Sequence, residues 1–182
     1  MKTKRPRIKR HKEVAVKDPL EFVPNCASEN ARKIHVYKEF EIELWIDKHY
    51  HDRKVHGDEN GKREGIEEND VSSLIIDSFK YLLEIYLRGS KFKFINFFDP
   101  SKPGQAKERI VLKRFLDDGV LNVVVEVNYI DTSKYEITVI TAMQTIEDNF
   151  RISDGQYSLC LSTDSINLNR MVNKSNNSIY KL

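Results

Sequence analysis

Between Lys91 and Met143 four β-rich runs follow one another with short connections, and this spacing constrains the fold more than any other feature of the chain. The runs are Lys91 to Phe98, Arg109 to Leu116, Val120 to Ile130 and Tyr135 to Met143. The breaks between them are Asp99-Pro100-Ser101-Lys102-Pro103-Gly104, Asp117-Asp118-Gly119 and Asp131-Thr132-Ser133-Lys134. A parallel crossover needs about a dozen residues or more, so connections this short make consecutive runs antiparallel. Just upstream, Val71, Leu74, Ile75, Phe79, Leu82, Ile85 and Tyr86 recur at helical spacing. Asn69 offers an N-cap, and Arg88 and Gly89 mark the end. The expected fold is α+β, with one main helix packed on a four- to five-stranded antiparallel meander. Gln156 to Ser162 would supply the extra strand at an edge.

Around this centre the sequence divides in three. Residues 1–30 read as a basic, disordered arm and linker punctuated by Pro6, Pro19 and Pro24, residues 31–166 as a single α+β domain, and residues 167–182 as a loose tail rich in Asn, Ser and Lys. Phe40, Ile42, Leu44 and Ile46 alternate with polar or amphipathic neighbours, the period of a half-buried strand. Net charge is +2, but Lys2, Lys4, Arg5, Arg7, Lys9, Arg10 and Lys12 supply seven positive charges and no acid accompanies them. The remaining residues therefore hold 23 basic against 28 acidic side chains, a net of −5. Such an arm attaches electrostatically to nucleic acid.

No apolar run approaches the roughly 18 to 20 residues of a membrane span, and no signal-peptide pattern opens the chain, so a cytoplasmic protein with no membrane partner is expected. The two cysteines, Cys26 and Cys160, lie far apart without metal-ligand spacing and read as unpaired thiols. There is no phosphate-cradling glycine loop, no Gly-x-Ser-x-Gly elbow and no His-Glu-x-x-His pair. Asp47, His49, His51 and His56 could share a cation. A metal hydrolase would want further carboxylates, and Asp99, Asp117 and Asp118 sit in turns, so no metal and no cofactor is expected.

Chemistry concentrates in Lys48-His49-Tyr50-His51-Asp52-Arg53-Lys54-Val55-His56, which holds three of the five histidines. Histidine has an unperturbed pKa of about 6.5, and neighbouring cations stabilise charge developing on a phosphoryl group. The pattern points toward phosphodiester chemistry. A His-bearing segment, an Arg63-Glu64-Gly65-Ile66 entry into a helix, and a meander ending in Tyr135-Glu136-Ile137-Thr138-Val139-Ile140-Thr141-Ala142 resemble the barnase, EndoU, colicin and RelE-type ribonuclease superfamily, in its phage-borne and toxin branches.

That resemblance, over roughly Tyr37 to Met143, implies a metal-independent endoribonuclease of toxin type acting on single-stranded RNA. In such an enzyme the RNA 2′-hydroxyl is the nucleophile. His49 would serve as general base or acid and Arg53, four residues on, would hold the scissile phosphate; His51 and His56 could stand in for His49. From the sheet, Lys113 or Arg114 would face the substrate, Thr138 or Thr141 would offer a hydroxyl, and Tyr135 would stack on a base. A toxin of this kind implies a cognate antitoxin or immunity protein. A second class remains open: a non-enzymatic module, such as a phage-encoded inhibitor, that docks nucleic acid or protein.

Overall fold

The computed structural model describes residues 13, 14, 16, 18, 20–38, 41–48, 50–52, 66–89, 92–97, 101 and 107–181, with the backbone alone for 13, 14 and 35–38. Its strands are β1 (Glu13–Val14), β2 (Phe22–Val23), β3 (Ala31–Lys38), β4 (Glu41–Asp47), β5 (Ile95–Phe97), β6 (Ile110–Leu116), β7 (Gly119–Asp131), β8 (Lys134–Thr145), β9 (Tyr157–Leu161), β10 (Ile166–Val172) and β11 (Ser175–Lys181). Between β4 and β5 runs the helix α1 (Glu68–Arg88). All eleven strands join one sheet in the order β1-β3-β4-β8-β7-β6-β9-β10-β11, with β2 also on β3 and β5 also on β7.

The expected four- to five-stranded antiparallel meander is therefore corrected to a larger, mixed sheet. Consecutive strands β6, β7 and β8 are antiparallel neighbours, as tight connections require. Short connections say nothing about strands remote in sequence, and both edges of this trio are extended by such strands. β4 joins β8 in parallel and β9 joins β6 in parallel. β5 does not pair with β6 but runs parallel to the far half of β7. β9, expected at an edge, lies inside the sheet between β6 and β10.

The terminal segments also belong to this sheet. β1 and β2 lie within the stretch expected to be a linker. β10 and β11 form a hairpin where a loose tail is expected. That hairpin turns at Asn173 and Lys174, both with positive φ (52° and 64°), the backbone of a primed two-residue turn that matches strand twist.

One face of the sheet carries α1. Val71, Leu74, Ile75, Phe79, Leu82 and Ile85 pack with Ile42, Leu44, Ile46, Leu112, Val123, Ile137 and Leu159 in one continuous core. The helix begins one residue ahead of Asn69. Glu67 occupies the cap position without a side-chain hydrogen bond there, while Glu68 and Asp70 in the first turn suit the positive end of the helix dipole.

The opposite face is buried too, which half-burial of β4 does not anticipate. Glu43, Asn122, Glu126, Asn128, Glu136, Thr138 and Ser158 all lie buried among the strands. Part of the cover comes from residues 25–28: Asn25 Nδ2 donates to Thr138 Oγ1 at 2.6 Å, and the Cys26 amide donates to Glu136 Oε1 at 3.1 Å. Ile152 adds an apolar plug on Val111 and Val124. Glu43 and Glu126 on this face are ion-paired and Glu136 accepts from the Cys26 amide, as burial demands. Burial pushes the Glu43 carboxyl up, but hydrogen bonds from Lys33 and Lys134 outweigh it and hold the group below its ordinary range. No helix among the described residues is long and apolar enough to cross a membrane.

Candidate functional site

A cleft of about 610 Å³ opens where the starts of β6 and β9, the end of β10 and the middle of β8 converge. Among the described residues five cations line it, Lys93, Lys107, Arg109, Arg151 and Arg170, against two carboxylates, Glu108 and Asp154. In a body whose sequence outside the arm is net acidic, this is a marked local reversal of charge.

Each wall has a local cause. Register slips between Val124 and Val125, so β8 carries an extra residue at Ile140 and Thr141 stands opposite Val124 at the cleft. A bulge of this kind bends a strand and re-aims its side chains. Asn96 on β5 grips residue 108 twice, accepting from the Glu108 amide at 2.8 Å and donating to its carbonyl at 2.9 Å, which anchors the Lys107–Arg109 entry to β6.

Beneath that entry lies Glu126, only 1% exposed. Its carboxylate draws in Lys107 at 3.2 Å and Arg109 at 3.8 Å and accepts from Asn128 Nδ2 at 3.3 Å. A buried carboxylate that needs partners thus fixes two cations at the cleft. On the other side Gly155 adopts φ +83°, which favours glycine. Its carbonyl accepts from Arg170 Nε at 3.2 Å, and the Arg170 guanidinium lies 5.2 Å above the Tyr157 ring. Lys93 and Arg151 make no ion pair among the described residues, so their charges remain available to a ligand.

Of the described residues expected from sequence, Thr141 alone lines this cleft. Lys113 and Arg114 do lie on opposite faces of β6, but both are engaged elsewhere. Lys113 is 2% exposed and ion-paired with Asp148, and Arg114 reaches down to α1, contacting Asp77 at 2.6 Å and Ser73 at 3.2 Å. Tyr135 is a core residue with its ring 5.1 Å from Phe79 and 5.6 Å from Tyr129, so it has no open face for a base. Thr138 is fully buried under Asn25.

His49, Arg53 and His56 lie outside the described residues, as does Arg63-Glu64-Gly65. Lys48, Tyr50, His51 and Asp52 are helical. Tyr50 is buried and its hydroxyl donates to the Ile66 carbonyl, tying this turn to the start of α1. His51 packs edge-on against Phe22 at 5.5 Å, and its Nδ1 is buried without a hydrogen-bond partner among the described residues. The cleft cations escape sequence reasoning because they are spread from position 93 to 170 on separate elements, and only the sheet order brings them together.

Neither cysteine is poised as a nucleophile. Burial, then the hydrogen bond and negative charge of Glu136, push the Cys26 thiol up to about 12 from an ordinary 9.0. Burial likewise raises Cys160. At pH 8 the Cys26 thiolate fraction should be about a thousandfold below that of an ordinary thiol. Iodoacetamide should therefore modify folded protein far more slowly than urea-unfolded protein, and equal rates would contradict this environment. Among the described residues no group of three or more His, Cys, Asp or Glu side chains is placed to hold a metal ion.

Compared with known proteins, the chain matches no family model, no curated protein and no solved structure.

Proposed function

We propose that this protein binds single-stranded RNA, with the basic cleft as its phosphate-binding site. The observation that carries the reading is the convergence of five cations, three of them in no ion pair among the described residues, on one recess. A volume of about 610 Å³ suits a nucleotide-sized group and lies in the usual range for ligand pockets. A recess of that size is reached by a flexible single strand, whose phosphates and bases can turn inward, more readily than by a duplex. Thr141, Ser153 and Gln156 add hydrogen-bonding groups, and Phe150 adds an aromatic surface.

Fluorescence anisotropy with labelled single-stranded RNA tests this. Lys93→Ala combined with Arg151→Ala removes two cations that no internal ion pair requires. Affinity should fall about tenfold or more, and the slope of log affinity against log salt should flatten by about 1 to 1.5. Unchanged affinity and slope would remove the cleft from the binding surface.

A second reading is the metal-independent endoribonuclease implied by the superfamily resemblance. Thr141 favours it, being a hydroxyl expected at the scissile phosphate that stands among cations. Binding and cleavage are then successive properties of one protein, and an assay for cut products in excess chelator separates them.

A further inference from the structure

At the far end of the sheet, the β6–β7 turn and the chain leaving β8 enclose a second, shallower groove of about 550 Å³ with the opposite character. Its lining includes exposed apolar side chains: Phe115 is 44% exposed, Leu116 42% and Ile146 90%. Asp117, Asp118 and Glu147 line it too, and no cation does among the described residues. A fourth acid, Asp148, is held by the buried Lys113. The backbone is closely packed at its centre. Gly119 sits at φ +147°, and a Cβ there would meet the Thr145 carbonyl oxygen at 2.4 Å, so turn and strand end are in backbone contact. Exposed apolar side chains clustered with charged ones are what a protein-docking surface presents.

We propose that this surface receives the basic segment Lys2–Lys12 of a second copy of the same chain. Charge complementarity selects the occupant: the segment has seven cations, no acid, and Ile8 as an aliphatic anchor among them. Geometry makes the second copy necessary. Glu13 pairs with Tyr37, Tyr37 with Ile42, and Ile42 with Tyr135, so β1 lies level with the start of β8. β1 also runs in the direction of β8, so its first residue, Glu13, lies at the end opposite the groove. Crossing the twelve residues of β8 takes about 40 Å at roughly 3.3 Å per residue. Eleven extended residues reach at most about 40 Å, so a chain's own arm would be spent on the crossing. Arm and groove are different surfaces of one protein, and the association is head to tail.

The test uses nuclease-treated full-length protein and a fluorescent peptide of residues 2–12. At low salt the peptide should bind the full chain. Binding should weaken about tenfold in the triple variant Asp117→Asn, Asp118→Asn, Glu147→Gln, and several-fold in Ile146→Ser, with circular dichroism unchanged. Sedimentation should show concentration-dependent association of the unmodified chain that both variants and high salt suppress. Peptide binding that ignores both variants would overturn the proposal and assign the arm to nucleic acid alone. A chain monomeric at every concentration in low salt would overturn it as well.

Discussion

Leu82→Asp should remove a large share of the protein's stability. Leu82 is 1% exposed on the sheet-facing side of α1, inside the core it shares with the strands. A carboxylate there has no partner and must either lose its hydration or push α1 off the sheet, at a cost of about 3 to 5 kcal/mol. Domains of this size are stable by only about 5 to 15 kcal/mol, so the loss takes up a large share of the total. Leu82→Ala, which leaves a cavity but no charge, should cost about 2 to 5 kcal/mol. Urea unfolding followed by circular dichroism measures both. An aspartate variant with the midpoint of the unmodified protein would contradict the packing of α1.

His49→Ala carries the largest kinetic effect if the endoribonuclease reading holds. Acid or base assistance to the 2′-hydroxyl or the leaving 5′-oxygen contributes about two to four orders of magnitude, and the variant should lose that much in the rate of RNA cleavage in excess chelator. Arg53→Ala should lose nearly as much by leaving the phosphate charge uncompensated. DNA should remain intact, because the nucleophile is missing. His51→Ala should matter less to rate, since His51 packs against Phe22 with its Nδ1 buried. A ranking with His51 or His56 dominant would move the site by a few residues. Absence of cleavage across varied RNAs, by protein that binds them, would leave the binding module.

What the sequence made legible was local. The helix is written in the spacing of Val71 through Ile85, and the β6–β7 and β7–β8 turns in Asp117-Asp118-Gly119 and Asp131 to Lys134. Pairings that join distant segments leave no periodic trace, which is why the parallel contacts of β4 with β8 and β6 with β9 were invisible. β11 escaped for another reason. Its residues are almost all exposed, so Asn and Ser replace the alternation that marks a half-buried strand, and Asn173 at the turn was the one local signal. Lys113, read as a substrate contact, shows the limit for sites: the partner that removes it from consideration, Asp148, lies beyond the next two strands in sequence. Thr141 was reachable because it belonged to the motif of the resemblance, whereas Lys93, Arg151 and Arg170 belonged to none.

Photo-crosslinking of single-stranded RNA carrying 4-thiouridine, followed by mapping of the modified peptides, tests the cleft directly. Adducts are expected in the segments 107–109 and 150–157, and they should diminish in the Lys93→Ala, Arg151→Ala protein and at high salt. Crosslinks that leave both segments unmodified would contradict the cleft as the RNA-binding site.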